Sequence, residues 1–97
     1  MIRVVAASRL YSDRIEDYYA AVKELIEKTR QEEGCIYYTL NRDEKDPQLH
    51  YFSEGWKDRA ALDSHLQSGH FRRIVPSLSE FIEERPMPMM VMEEVEL

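Results

Sequence analysis

The chain is 97 residues long, 43% hydrophobic and 33% charged, with a formal net charge of −6. A chain of that length reads as one domain over residues 1–97, with one modest core that buries roughly 60–70% of the unfolded surface. The acidic balance argues against nucleic acid, which attracts Lys- and Arg-rich faces, and against anionic membrane.

Residues 2–10 are rich in Val and Ala and read as a first strand. Arg3 interrupts their apolar run and a charged segment follows at once, which is not the pattern of a signal peptide. No stretch approaches the roughly 20 apolar residues of a membrane span. Asp13 and Glu16 have capping-box spacing. Ile15, Tyr18, Tyr19, Val22, Leu25, Ile26 and Thr29 then recur at the helical period, with charged residues on the other face and Gly34 as the stop.

Residues 35–42 are β-branched and aromatic, a second strand that opens on the single cysteine, Cys35. One cysteine excludes an internal disulfide and fits a reducing, cytoplasmic compartment. A polar loop over residues 43–47 leads to a third strand, Leu49 to Trp56. Either Leu49, Tyr51 and Ser53 or His50, Phe52, Glu54 and Trp56 face the helices, and alternation alone leaves both options open.

Asp58 caps a second helix over residues 58–67, with Ala61, Leu62, His65 and Leu66 on one side. Phe71, Ile74, Val75, Leu78, Phe81 and Ile82 extend the helical period into a further segment. Pro76 must break it, because proline lacks an amide hydrogen and clashes with the preceding turn. Pro86 and Pro88 open a last strand, Met89–Leu97.

The order β-α-β-β-α-β is that of an α+β, ferredoxin-like fold, a four-stranded antiparallel sheet with helices on one face. Its other face should then read polar, yet Val5, Ala7, Tyr37, Met90 and Met92 are apolar at the parity opposite to Val4, Ala6, Tyr38 and Val91. A second copy packing sheet against sheet, as in a dimeric α+β barrel, would cover that face.

The residues with chemical potential gather in one stretch, His50 to Phe71. His65 lies on the apolar side of its helix and titrates in the cytosolic range, so it is the candidate proton-transfer group; the plainer reading is a boundary histidine bonded to a carbonyl. His65 and His70 are five apart, not the four that puts two ligands on one helical face, and there is no Gly-rich phosphate loop or G-x-S-x-G elbow. No metal or cofactor is therefore expected.

Glu32-Glu33-Gly34-Cys35, Glu54-Gly55-Trp56 and the run Ala61-Leu62-Asp63-Ser64-His65-Leu66-Gln67-Ser68-Gly69-His70-Phe71 resemble the antibiotic biosynthesis monooxygenase family, and most closely its quinol monooxygenase branch. The resemblance covers nearly the whole chain. It implies a dimeric ferredoxin-like protein that oxidises a small quinol or polyphenol with O₂, without metal or flavin. On that reading His65 is the base or proton shuttle, His70 orients a substrate oxygen, and Trp56, either Tyr51 or Phe52, and Phe71 supply pocket walls. A heme-degrading branch requires an Asn on the first strand, which is absent here. Two alternatives stay open: isomerisation of a small phosphorylated signal molecule, and a non-catalytic ligand-binding dimer module.

Overall fold

The structure, a computed structural model, describes residues 1–83 and 87–97; Pro86, expected to open the last strand, lies outside the described residues. The elements are β1 (Ile2–Arg9), α1 (Ile15–Arg30), β2 (Cys35–Arg42), β3 (Leu49–Trp56), α2 (Arg59–Leu66), α3 (Gly69–Ser77) and β4 (Met90–Glu93), with a 3₁₀ turn at Leu78–Phe81 before β4. The strands form one antiparallel sheet in the order β2-β3-β1-β4, the ferredoxin-like arrangement read from the sequence. No helix among the described residues is long and apolar enough to cross a membrane.

Register decides which side chains meet the helices. Ile2, Val4, Ala6 and Ser8 pair with Trp56, Glu54, Phe52 and His50, and Tyr38 and Leu40 pair with Glu54 and Phe52. Directly paired residues project to the same face, so His50, Phe52, Glu54 and Trp56 all point toward α1 and α3. Tyr51, read from the sequence as a candidate pocket wall, projects to the opposite face, where its hydroxyl donates to Asp43 Oδ1 at 3.4 Å. Alternation forces this outcome once Trp56 is buried, because Tyr51 stands five residues away and therefore at the other parity.

The core lies between this face and the helices. Tyr18, Val22 and Leu25 of α1 are buried there with Trp56 and Leu62, and each fully buried Leu or Val contributes about 1.5–3 kcal/mol of apolar transfer free energy. The predicted stripe of α1 is thus the buried one, but its start differs from expectation. Arg14 is the N-cap and makes no side-chain cap bond. Its amide already donates to Tyr11 O at 3.0 Å, a tight turn that begins the helix one residue past Asp13.

Two further details shift side chains. A bulge between Cys35 and Tyr37 reverses the alternation at the start of β2. Cys35 therefore pairs with Trp56 on the helix side, while Ile36, grouped by alternation with Tyr38 and Leu40, is exposed. Gly34 adopts φ +88°, and a Cβ there would lie 2.7 Å from the Ala61 Cβ. Glycine is needed at that turn both for its backbone conformation and for the close approach of α2.

Asp58 and Ser68 cap α2 and α3 by accepting the amides of Ala61 and Phe71. Pro76 sits in the last turn of α3, after which the chain tightens into the 3₁₀ turn. The last strand is only four residues long, shorter than the expected Met89–Leu97, and all four are exposed.

Candidate functional site

Trp56 ends β3 completely buried, and two polar clusters meet at its ring. On one side His65 of α2 packs against it with ring centroids 4.6 Å apart. His65 is itself buried among Trp56, Tyr38 and Phe71. Its Nδ1 lies 2.7 Å from Glu32 Oε2, and His70 Nε2 lies 2.8 Å from the same oxygen. As a carboxylate Glu32 can only accept, so each ring donates and the bare Nε2 of His65 is left as an acceptor. That Nε2 is buried with no hydrogen-bond partner. Burial pushes the His65 pKa down, against the opposing pull of Glu32, so its ordinary state is the neutral imidazole.

Glu32 reaches this cluster because the turn after α1 is tied at both ends. Its amide donates to Thr29 O at 3.0 Å and its carbonyl accepts from Cys35 N at 3.1 Å. Glu32, His65 and His70 also bring three metal-ligand-type atoms within 4.8 Å of one another, a grouping that the sequence reading missed because one member comes from 33 residues away. The separations of 2.7 and 2.8 Å are those of hydrogen bonds. Ligands at about 2.0–2.1 Å around a tetrahedral ion stand further apart, so the cluster as built is a closed hydrogen-bonded triad.

Beyond Tyr38, Glu54 and Phe71 lies a cavity of about 370 Å³ between the sheet and the helices α1 and α3. Its walls include Phe52 of β3, Tyr38 of β2, Tyr18 and Leu25 of α1, and Phe71 and Val75 of α3. Met87 and Met89 form part of its rim and are 49% and 42% exposed. A space of this size, apolar and with few polar groups, is what small-molecule sites look like.

The carboxyl in that wall is Glu54. It is 4% exposed, and Oε1 accepts the Trp56 indole N–H at 3.0 Å. No other side chain bonds to it among the described residues. Burial raises its pKa, the indole hydrogen bond opposes that, and the Glu32 charge adds to the rise. Tyr18 and Tyr38 also line the cavity, and their hydroxyls have no hydrogen-bond partner among the described residues. Burial pushes both phenols well above their ordinary range, with the Glu54 charge adding to the effect at Tyr38, so both remain donors.

Of the residues singled out from the sequence, Phe52 and Phe71 line the cavity. His65 and Trp56 stand one layer behind, touching Phe71, Tyr38 or Glu54, all of which line it. His70 is bonded to Glu32 and is not a cavity wall, and Tyr51 is on the far face of the sheet. Glu54, Tyr38 and Glu32 were not assigned roles. Glu54 was within reach of the pattern, since it shares the parity of Phe52 and Trp56 and a carboxylate in that row must be buried.

The profile of the antibiotic biosynthesis monooxygenase family matches residues 1–77. A conserved protein from Methanosarcina mazei Go1 is 34% identical, with 97% of this chain and 92% of that chain superposed at a TM-score of 0.93. A solved antibiotic biosynthesis monooxygenase is 38% identical over 99% of this chain and 100% of that one, at a TM-score of 0.89. The Synechocystis protein sll1783 is 37% identical over 84 residues, 86% of this chain; the match spans about half, 52%, of that relative's length.

Proposed function

This chain belongs to the antibiotic biosynthesis monooxygenase family, and from that premise we propose that it oxidises a small quinol or polyphenol with O₂ in the cavity beneath Phe52 and Phe71. The observation that carries the reading is the cavity itself, roomy enough for one or two aromatic rings, walled by Tyr18, Tyr38, Phe52 and Phe71, and provided among the described residues with a single carboxyl.

The proposed chemistry needs no protein-bound electron carrier. A quinol that loses a proton becomes an electron-rich anion able to reduce O₂ directly. One oxygen atom enters the ring, the other leaves as water, and the quinol emerges as a hydroxyquinone. The protein contributes positioning, a proton acceptor, donors for developing negative charge and an apolar space that keeps water out. His65 serves as the proton shuttle, because its unpartnered Nε2 can accept a proton while Glu32 steadies the imidazolium that forms.

A panel of hydroquinones and phenols, assayed for oxygen uptake with chelator-treated protein, tests this. Turnover with label from isotopic O₂ in the product is the expected outcome. Binding without turnover across the panel would instead favour the ligand-binding module. The isomerase reading lacks support in the cavity, whose wall among the described residues carries a carboxyl and no Lys or Arg.

The proposal includes a second copy. The open face of the sheet carries Val5, Tyr37, Leu49 and Tyr51, and Met90 and Met92 beside them are 56% and 42% exposed. Two copies packed through this face would bury these residues and roughly 2,000 Å² or more in total. Light scattering at micromolar concentration should give twice the chain mass of 11.6 kDa; a monomer would remove this part of the proposal.

A further inference from the structure

We propose that Glu54 is the group that takes the proton from a phenolic hydroxyl bound in the cavity, with Tyr38 as a donor to the oxyanion left behind. The choice of a phenol rests on the oxidation reading above. The proton transfer itself does not require oxygen chemistry.

The carboxyl is held by its strand neighbours and by one indole. Glu54 stands at the centre of the sheet, paired with Val4 on one side and Tyr38 on the other. The neighbouring strands fix its backbone, and the Trp56 indole fixes Oε1. A buried carboxylate ordinarily collects several hydrogen bonds or a cationic partner. Among the described residues this one has a single bond and borders empty volume, an arrangement that costs stability and is useful only if something else completes it.

A phenol completes it. Its hydroxyl donates to the free side of the carboxyl while its ring lies against Phe52, Phe71 and Tyr38. Transfer breaks the phenolic O–H bond and forms one on Glu54, with no change in total charge, so no new charge is buried. The groups that face Glu54 favour this transfer. Glu32 from the turn after α1 raises its proton affinity, and Tyr38 and Cys35 of β2, both within its electrostatic reach, are themselves pushed up and remain neutral. Tyr18 of α1 is likewise kept protonated. His65 of α2 is held neutral and packs on the indole that binds Glu54. Among the described residues no Lys or Arg lines the cavity, and none pairs with the carboxylate.

The probe is para-nitrophenol, whose phenolate absorbs apart from the neutral phenol and which resists oxidation. Wild-type protein should bind it as the phenolate at pH values where the free compound is still protonated. Glu54→Gln keeps an oxygen for the Trp56 N–H, so it should fold and bind but hold the neutral phenol. Near-ultraviolet circular dichroism of Trp56, the chain's one tryptophan, checks that the site is intact. Tyr38→Phe should lower the phenolate fraction without abolishing it. Neutral phenol on the wild type, an unchanged phenolate fraction in Glu54→Gln, or no binding at all would each overturn the assignment. The wild-type spectrum alone decides the matter if the variant misfolds. Phenolate binding in a protein that never consumes oxygen would retain Glu54 as proton acceptor and dispose of the oxidation.

Discussion

Glu54 and His65 touch the same indole, and the contrast between them separates two kinds of buried polar group. His65 is drawn into a closed triad: Nδ1 and His70 Nε2 converge on one oxygen of Glu32, and three aromatic rings enclose the imidazole. Glu54 has one bond and faces a cavity. The triad holds α2, α3 and the turn after α1 together and can pass a proton along its bonds, its one unpartnered atom, His65 Nε2, being closed off from solvent. An incompletely satisfied carboxyl beside empty space can bind and change a ligand. Burial shifts both groups toward their neutral forms, so proton affinity does not distinguish their roles; access to the cavity does.

The largest effect that should break or support this contrast is on turnover. Glu54→Gln is expected to lower kcat for oxygen uptake by ~10²–10⁴-fold, the usual worth of one acid–base group, with substrate affinity little changed. His65→Ala, acting from behind the cavity wall, should fall at the low end, about 10²-fold. It should also cost roughly 1–3 kcal/mol of stability, measured by denaturant unfolding, because Glu32 loses a buried partner. If His65→Ala abolishes turnover while Glu54→Gln leaves it intact, the two roles are reversed.

Stability against pH gives a smaller and sign-specific effect. The Glu54 pKa is raised above its ordinary 4.5, so its contribution is complete below that pH and is lost as pH rises through the folded-state value. Glu54→Gln should therefore be more stable than wild type at neutral pH, by about 1 kcal/mol or a Tm higher by roughly 4–8 °C, and the difference should close in acid. The His65 pKa is lowered from 6.5, so its contribution is present above that pH and lost as pH falls through the folded-state value. A variant that gains stability at neutral pH while losing activity is the signature of a site strained for function.

The smallest effect should come from His70. Among the described residues its ring is hydrogen-bonded only to Glu32, and it is absent from the cavity wall, so His70→Ala should leave KM nearly unchanged. The resemblance implied that His70 orients the substrate, and a clearly raised KM would move the substrate toward the triad.

Much of this architecture was legible in the sequence. The bounds of the second and third strands, residues 35–42 and 49–56, coincide with β2 and β3, because β-branched and aromatic runs between polar turns have few competing conformations. The stripe of α1 was equally plain. The Asp13 cap failed because a turn from Tyr11 starts the helix later, and the Ile36 face failed because a bulge is invisible to strict alternation. Within the site, Phe71 belonged to the helical period of the last helical segment, and Phe52 was one of two alternatives on the third strand. The sequence leaves the choice between Tyr51 and Phe52 open, because the face of the third strand depends on which side the helices cover. Glu32 could not have been found by spacing, since it meets His65 only after the whole β2–β3 hairpin has folded between them.

The central claim is that the ligand occupies the cavity and presents its hydroxyl to Glu54. A crystal structure with para-nitrophenol bound tests that most directly. The account predicts the ring between Phe52 and Phe71 with its oxygen within hydrogen-bond distance of the Glu54 carboxyl. A ring seated instead against Glu32 and His70, or on the open face beside Tyr51, would contradict it.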